Sequence, residues 1–150
     1  MITGLKAEEQ HQHKNGGGWV ANTATVEDSV YIEPNAWVYG NAQVYGDAQV
    51  LGNAWVSGDA WVSGNAQVYG NARVFGDAWV YGNAQVFGDA RVFGDARVYG
   101  NARVYGNAWV YGNAQVLDDA RMYGNAQVFG DARVFGDAQV FGDAGNEKGF

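Results

Sequence analysis

The chain has no cysteine, one proline and two histidines in 150 residues. Lacking cysteine, it can form no disulfide, no thiolate zinc site and no thiol nucleophile. A single proline beside 23 glycines excludes collagen. Basic residues are few: nine Lys and Arg face sixteen Asp and Glu, for a net charge of −7. That balance argues against a protein that grips nucleic acid through its phosphates. No apolar run approaches the ~18 residues of a membrane span, and Met1 to Val20 holds no continuous apolar stretch of the kind a signal peptide needs. The absences predict a cytoplasmic or virion-associated protein, with no membrane association and no direct binding to nucleic acid. Aromatic rings are abundant, with 6 Trp, 9 Tyr and 7 Phe, too many for a disordered linker.

Those rings recur at a fixed interval. From Asn35 to Gly142 the chain is one hexad repeated 18 times: Asn or Asp, Ala, a free position, Val, a position held mostly by Tyr or Phe, then Gly. Met122 replaces the Val once and Asp118 replaces the Gly once. A looser form in the same register begins at Gly17, for 21 hexads in all. Residues 1–16 form a cap or a flexible tail, 17–144 the repeat domain and 145–150 a short C-terminal tail.

A six-residue period fits neither an α-helix nor a heptad, and a Gly every sixth residue would cost a helix about 1 kcal/mol each time. Alternation fits a strand of about four residues, with Ala and Val on one face and the free and aromatic positions on the other. Gly followed by Asn or Asp supplies a corner, both residues tolerating positive φ. The same pair can close a two-residue hairpin. A meander of tiny hairpins, however, would leave its Ala/Val face bare, whereas a solenoid wraps that face around its own axis.

The inward Ala, with Val two residues later, resembles the hexapeptide repeat of left-handed parallel β-helices. The resemblance covers about four fifths of the chain without a skipped residue. It implies an all-β fold, a left-handed solenoid of triangular cross-section with three hexads per coil, hence about seven coils of 18 residues and a rod roughly 34 Å long at ~4.8 Å per strand. The Gly17–Gly18–Trp19–Val20 entry also resembles bacterial and prophage proteins with GNARVYG-type arrays. The β-helix family includes trimeric acyltransferases, with a catalytic His near a subunit interface, and zinc carbonic anhydrases, with three His ligands. Here the array has no His and no interrupting loop, so neither activity carries over, and no catalytic residue, metal or cofactor is expected.

An 18-residue period sorts the outward positions onto three walls. Arg first appears in the array at Arg73. Trp37, Trp55, Trp61, Trp79, Arg91, Arg97 and Arg103 are candidate binding residues, able to stack on sugar rings or bases. The ring columns containing Phe75, Phe93, Tyr111 and Phe129, and Tyr81, Tyr99 and Phe135, are candidate self-association surfaces, because exposed columns of rings exceed the apolar patch a monomer usually carries. A homo-oligomer, dimer or trimer, is expected. Stacking within one chain is the simpler account of the same columns. Asn and Asp at the corners are expected to form ladders between coils. His11 and His13 lie in the N-terminal segment and are expected to be exposed and idle, and Gly16–Gly18 to act as a hinge.

Three functions compete on this reading. The first is a non-catalytic structural or binding rod that self-associates and presents a rigid surface to a protein or glycan partner. A second is a small-molecule or glycan binder at a subunit interface. The third is an acidic mimic of nucleic acid that inhibits a host protein, of possible phage origin.

Overall fold

Each hexad supplies one short strand and one corner. In the computed structural model, which describes residues 1–142 and the backbone of Gly145–Asn146, the strands stack into three parallel sheets. Successive members of a sheet lie 18 residues apart in register, as in Trp37 on Trp55 and Val38 on Val56. The first wall runs from Trp19–Ala21 through Gln127–Val128. The second runs from Thr25–Val26 to Arg133–Val134 and the third from Tyr31–Ile32 to Gln139–Val140. The chain is therefore an all-β solenoid of about seven coils. Gly145–Asn146 add a further parallel strand to Gln127–Val128, so the sheet continues past the boundary expected at residue 144. Asp143, Ala144 and the remainder of the expected tail, 147–150, lie outside the described residues.

The interior is the Ala and Val of every hexad. From Ala36 to Val134 each of them has no solvent exposure, as has Met122 in its Val column. Only Ala24, Val26 and Ala138, in the end coils, are half-buried. Burial at ~25 cal/mol per Å² of apolar surface is what drives the coil closed. Ala is required because three walls converge on a narrow axis.

Within the hexads from Asn35 to Gly142 the strands are two residues long, not four: only the free position and Val are paired strand residues, as in Gln43–Val44. The ladder nonetheless continues around the corner. In the hexad from Asn41, the N–H groups of Asn41, Gln43 and Tyr45 donate to the carbonyls of Gly58, Ala60 and Val62 in the next coil at 2.8–2.9 Å. The corner bend removes the regular geometry without removing the hydrogen bonds. Each corner is a four-residue turn from the aromatic position to Ala, most of them closed by a long bond such as Ala90 N–H to Phe87 C=O at 3.4 Å. Gly is its second residue and takes φ near +65° (Gly76, +66°), while Asn and Asp at the third residue do not take positive φ. That is the type II′ pattern, in which only the second residue needs positive φ. Of the two corner residues that tolerate positive φ, glycine alone adopts it.

Asp118 is the single non-glycine residue with positive φ, at 59°, among the described residues. Its Oδ2 accepts the Gly136 N–H at 3.0 Å. We expect Asp118→Ala to lose about 1 kcal/mol, keeping the left-handed strain without the bond, and Asp118→Gly to stay near wild type. Paired urea melts decide this; equal midpoints for the Ala and Gly variants would refute it.

Residues 1–16 fold over the first coil. Gln10–Gln12 pair antiparallel with Trp19–Ala21. Ile2 is buried, and its N–H donates to Gln10 Oε1 at 2.7 Å. The Ile32 N–H donates to Asn15 C=O, and the Gly18 N–H returns a bond to Ile32 C=O. Two walls thereby have their first strand edges covered, which blocks edge-to-edge pairing there.

Candidate functional site

With the interior closed, any site lies on the walls or the cap. In the cap, both histidines depart from expectation. His13 is buried, and its Nε2 donates to Val30 C=O at 2.7 Å. His11 is exposed but engaged, with Nδ1 donating to Asn22 Oδ1 at 2.7 Å. A buried carbonyl needs a donor, and His13 supplies it across the end of the core. The expected hinge at Gly16–Gly18 is likewise a packed junction. A Cβ on Gly16 would come within 2.2 Å of Ile32 O, and one on Gly18 within 2.1 Å of Ile32 Cγ2. Among the described residues no three His, Asp or Glu side chains gather where they could hold a metal ion.

Polar side chains on the walls are mostly spent on one another. Corner residues form ladders in which each Asn amide donates to the next coil: Asn53 to Asn71 to Asp89, and Asn65 to Asn83 to Asn101 to Asp119, at 3.1–3.4 Å. Both runs end on Asp because an ionised carboxylate has no proton to pass on. Tyr hydroxyls donate to Gln one coil along, as from Tyr99 to Gln115 and Tyr111 to Gln127 at 3.2 Å.

The ring columns stack. On the first wall Phe75, Phe93, Tyr111 and Phe129 follow one another at 4.9, 4.9 and 5.3 Å. On the third, Tyr69, Phe87, Tyr105, Tyr123 and Phe141 do so at 4.7–5.3 Å. The second wall has only Tyr81 on Tyr99, at 4.8 Å, before Leu117 interrupts and Phe135 stands half exposed. Stacked rings hide their faces and turn edges outward. Burial in the stack pushes the Tyr69 phenol above its ordinary value, with Arg103 pulling it back. Burial, then the neighbouring Tyr99, raises that of Tyr81 against the pull of Arg97.

The seven candidate binding residues divide among the walls rather than meeting in one place. Trp37, Trp55 and Arg91 stand on the first, Trp61, Trp79 and Arg97 on the second, and Arg103 on the third. Trp37 and Trp55 stack flat, 4.9 Å apart and 3° from parallel. Each Arg–Trp contact is made between adjacent coils: Arg73 lies 4.2 Å from the Trp55 ring centre, Arg97 4.6 Å from Trp79 and Arg91 5.3 Å from Trp109. Arg73 and Trp109 are thus partners that sequence reasoning misses, although their 18-residue offset from Trp55 and Arg91 is readable. Along the first wall these side chains and the corner Asn ladder line an open groove of about 810 Å³.

Two smaller hollows sit where serine replaces a ring. One of about 280 Å³ is lined by Trp61, Ser63, Trp79 and Tyr81. The other, about 210 Å³, is lined by Tyr39, Trp55, Ser57, Arg73 and Phe75. Neither serine stands out as a candidate in the sequence; the signal is the break each makes in its column.

A family model for the YdcK beta solenoid repeat matches residues 42–58, 66–82, 84–98, 96–112 and 126–142, just over half of the chain. The chain belongs to the YdcK beta-solenoid repeat family. No curated protein and no solved structure matches it. Each matched stretch is about one coil long and lies within the stack described above, and the family's description specifies the solenoid without an activity. Between the matched stretches, 59–65 contains Ser63 and 113–125 contains Leu117 and Asp118. Among the described residues no helix is long and apolar enough to cross a membrane.

Proposed function

We propose that this YdcK-type solenoid is a non-catalytic structural rod that self-associates, as a dimer or trimer, through its outward ring columns and offers a rigid surface to a partner. The observation that carries this reading is the first-wall column from Phe75 to Phe129, four rings in unbroken series, each half-buried with its edge left outward. A second copy laid alongside would cover those edges at small entropic cost, because stacking has already fixed the rings. The six-residue period supports the left-handed hexapeptide-type winding as part of the same proposal.

The two rival readings have weaker support. Sugar rings bind to open aromatic faces, and within the unbroken columns of the first and third walls the faces are already paired. A nucleic-acid mimic needs a continuous acidic surface, and here Arg73, Arg91, Arg97 and Arg103 stand among the corner carboxylates.

Light scattering across a concentration series tests the proposal. A particle of two or three times 16.1 kDa is expected. Phe93→Ser should shift it toward the monomer while the circular dichroism melt stays cooperative. A wild-type monomer at every concentration would overturn the self-association, and measurable turnover of an acyl-CoA or of bicarbonate would overturn the non-catalytic role.

A further inference from the structure

We infer that the hollow at Ser63 is a binding slot for the flat aromatic ring of a small molecule, which would stack on the exposed face of Tyr81. Along the second wall the ring column reads Tyr45, Ser63, Tyr81, Tyr99 at successive coils. Tyr99 covers one face of Tyr81 at 4.8 Å and 2°. In the coil on its other side the column has serine, so no ring of the column meets that face. Two coils span about 9.6 Å at the ~4.8 Å strand spacing, room for one ring at stacking distance from its neighbours and too little for two.

The surroundings select the same shape. Trp61 and Trp79 do not stack flat as Trp37 and Trp55 do. Their planes are 59° apart with centres 5.5 Å apart, and Trp61 leans on Tyr45 at 5.6 Å. Both tryptophans are among the most exposed large apolar side chains, at 40% and 38%. Together with Tyr81 they wall a space of about 280 Å³ whose one non-aromatic side chain is Ser63. Among the described residues the Ser63 hydroxyl has no hydrogen-bond partner, so it remains to bind a polar substituent on the ring. The matching break at Ser57 is smaller, and Arg73 lies on Trp55, the one tryptophan of that hollow; at the Ser63 slot Arg97 lies on Trp79 but leaves Trp61 without a cation, which singles out the Ser63 slot. This inference is independent of whether the rod self-associates.

Nuclear magnetic resonance titration of the whole chain with 4-nitrobenzyl alcohol tests it, with cyclohexylmethanol as a puckered ring of similar size. Saturable shifts of the Tyr81, Trp61 and Trp79 ring protons are expected with the flat probe, with at least tenfold weaker binding of the puckered one. Ser63→Tyr puts a ring where the column lacks one, and should abolish the shifts while raising the melting temperature. Ser57→Tyr should leave them within twofold of wild type. Absence of saturable shifts in the wild type, equal binding of both probes, or survival of binding in folded Ser63→Tyr would each overturn the inference. Should Ser63→Tyr fail to fold, the contrast between probes in the wild type still decides it.

Discussion

Replacing Ala90 with leucine is expected to destabilise the solenoid by about 3 kcal/mol or more, at the upper end of what an overpacked core usually costs. Ala90 has no solvent exposure and stands in an inward column between Ala72 and Ala108, one coil to either side. Its own coil contributes further Ala and Val from the other two walls to the same axis. Ordinary cores relieve an added side chain by shifting a helix. Here each wall is tied to the next coil by a ladder bond at almost every alternate residue, so a wall can move outward only by breaking bonds above and below. The strain therefore spreads along the rod through nearest-neighbour interfaces. Chemical denaturation reads it as a fall in midpoint. Ala24→Leu, in the half-buried end coil, should cost distinctly less. Equal midpoints for the two variants, or an unchanged midpoint for Ala90→Leu, would contradict the account of the axis.

The same rigidity explains why so much of the fold is legible in the amino-acid sequence. One hexad, once its inward and outward positions are assigned, fixes every coil, since a slip of one residue would turn its Ala and Val outward. Ala36 to Val134 behave as one such assignment repeated, and the Asn ladders at the corners follow from it. What escapes reading has no period. The burial of His13 depends on a carbonyl at Val30, and the packing of Gly16 and Gly18 depends on Ile32; these partners appear once each, in a segment without repeats. Strand length escapes for a different reason: the type II′ turn takes up residues that alternation alone would give to the strand. On the outer walls the period places each ring in its column but leaves its tilt open. Trp37–Trp55 and Trp61–Trp79 are the same pair of residues at the same 18-residue offset, yet they sit 3° and 59° from parallel. The difference tracks the side chains beside them, Tyr39 and Ser57 in one case and Ser63 and Tyr81 in the other.

Gly18→Ala should damage the N-terminal end through contact alone, without the left-handed backbone strain that φ of +107° and +81° would add at Gly16 and Gly17. The Gly18 N–H donates to Ile32 C=O at 2.9 Å, while its own carbonyl accepts from His13 N–H at 2.7 Å. A Cβ there would lie 2.1 Å from Ile32 Cγ2 and 2.5 Å from the Glu33 carbonyl oxygen, both far inside van der Waals contact. The side-chain atom could rotate away; the carbonyl belongs to backbone that is itself laddered, Glu33 N–H to Val50 C=O at 2.9 Å, and cannot. The cap must then lift, which exposes Ile2 and Val20 and removes the donor from Val30, for a loss of about 3 kcal/mol. Gly17→Ala provides the contrast. Its Cβ would meet nothing within 4 Å, but its φ of +81° is left-handed, so the cost should be about 1–2 kcal/mol of backbone strain alone. Hydrogen exchange separates the two: Gly18→Ala should deprotect the amides of Gln10 to Gly18 and of Ile32 together, whereas Gly17→Ala should leave the Ile32 amide protected. If Gly18→Ala keeps Ile32 protected, the junction is looser than these contacts require, and the cap is held by the Gln10–Gln12 pairing alone.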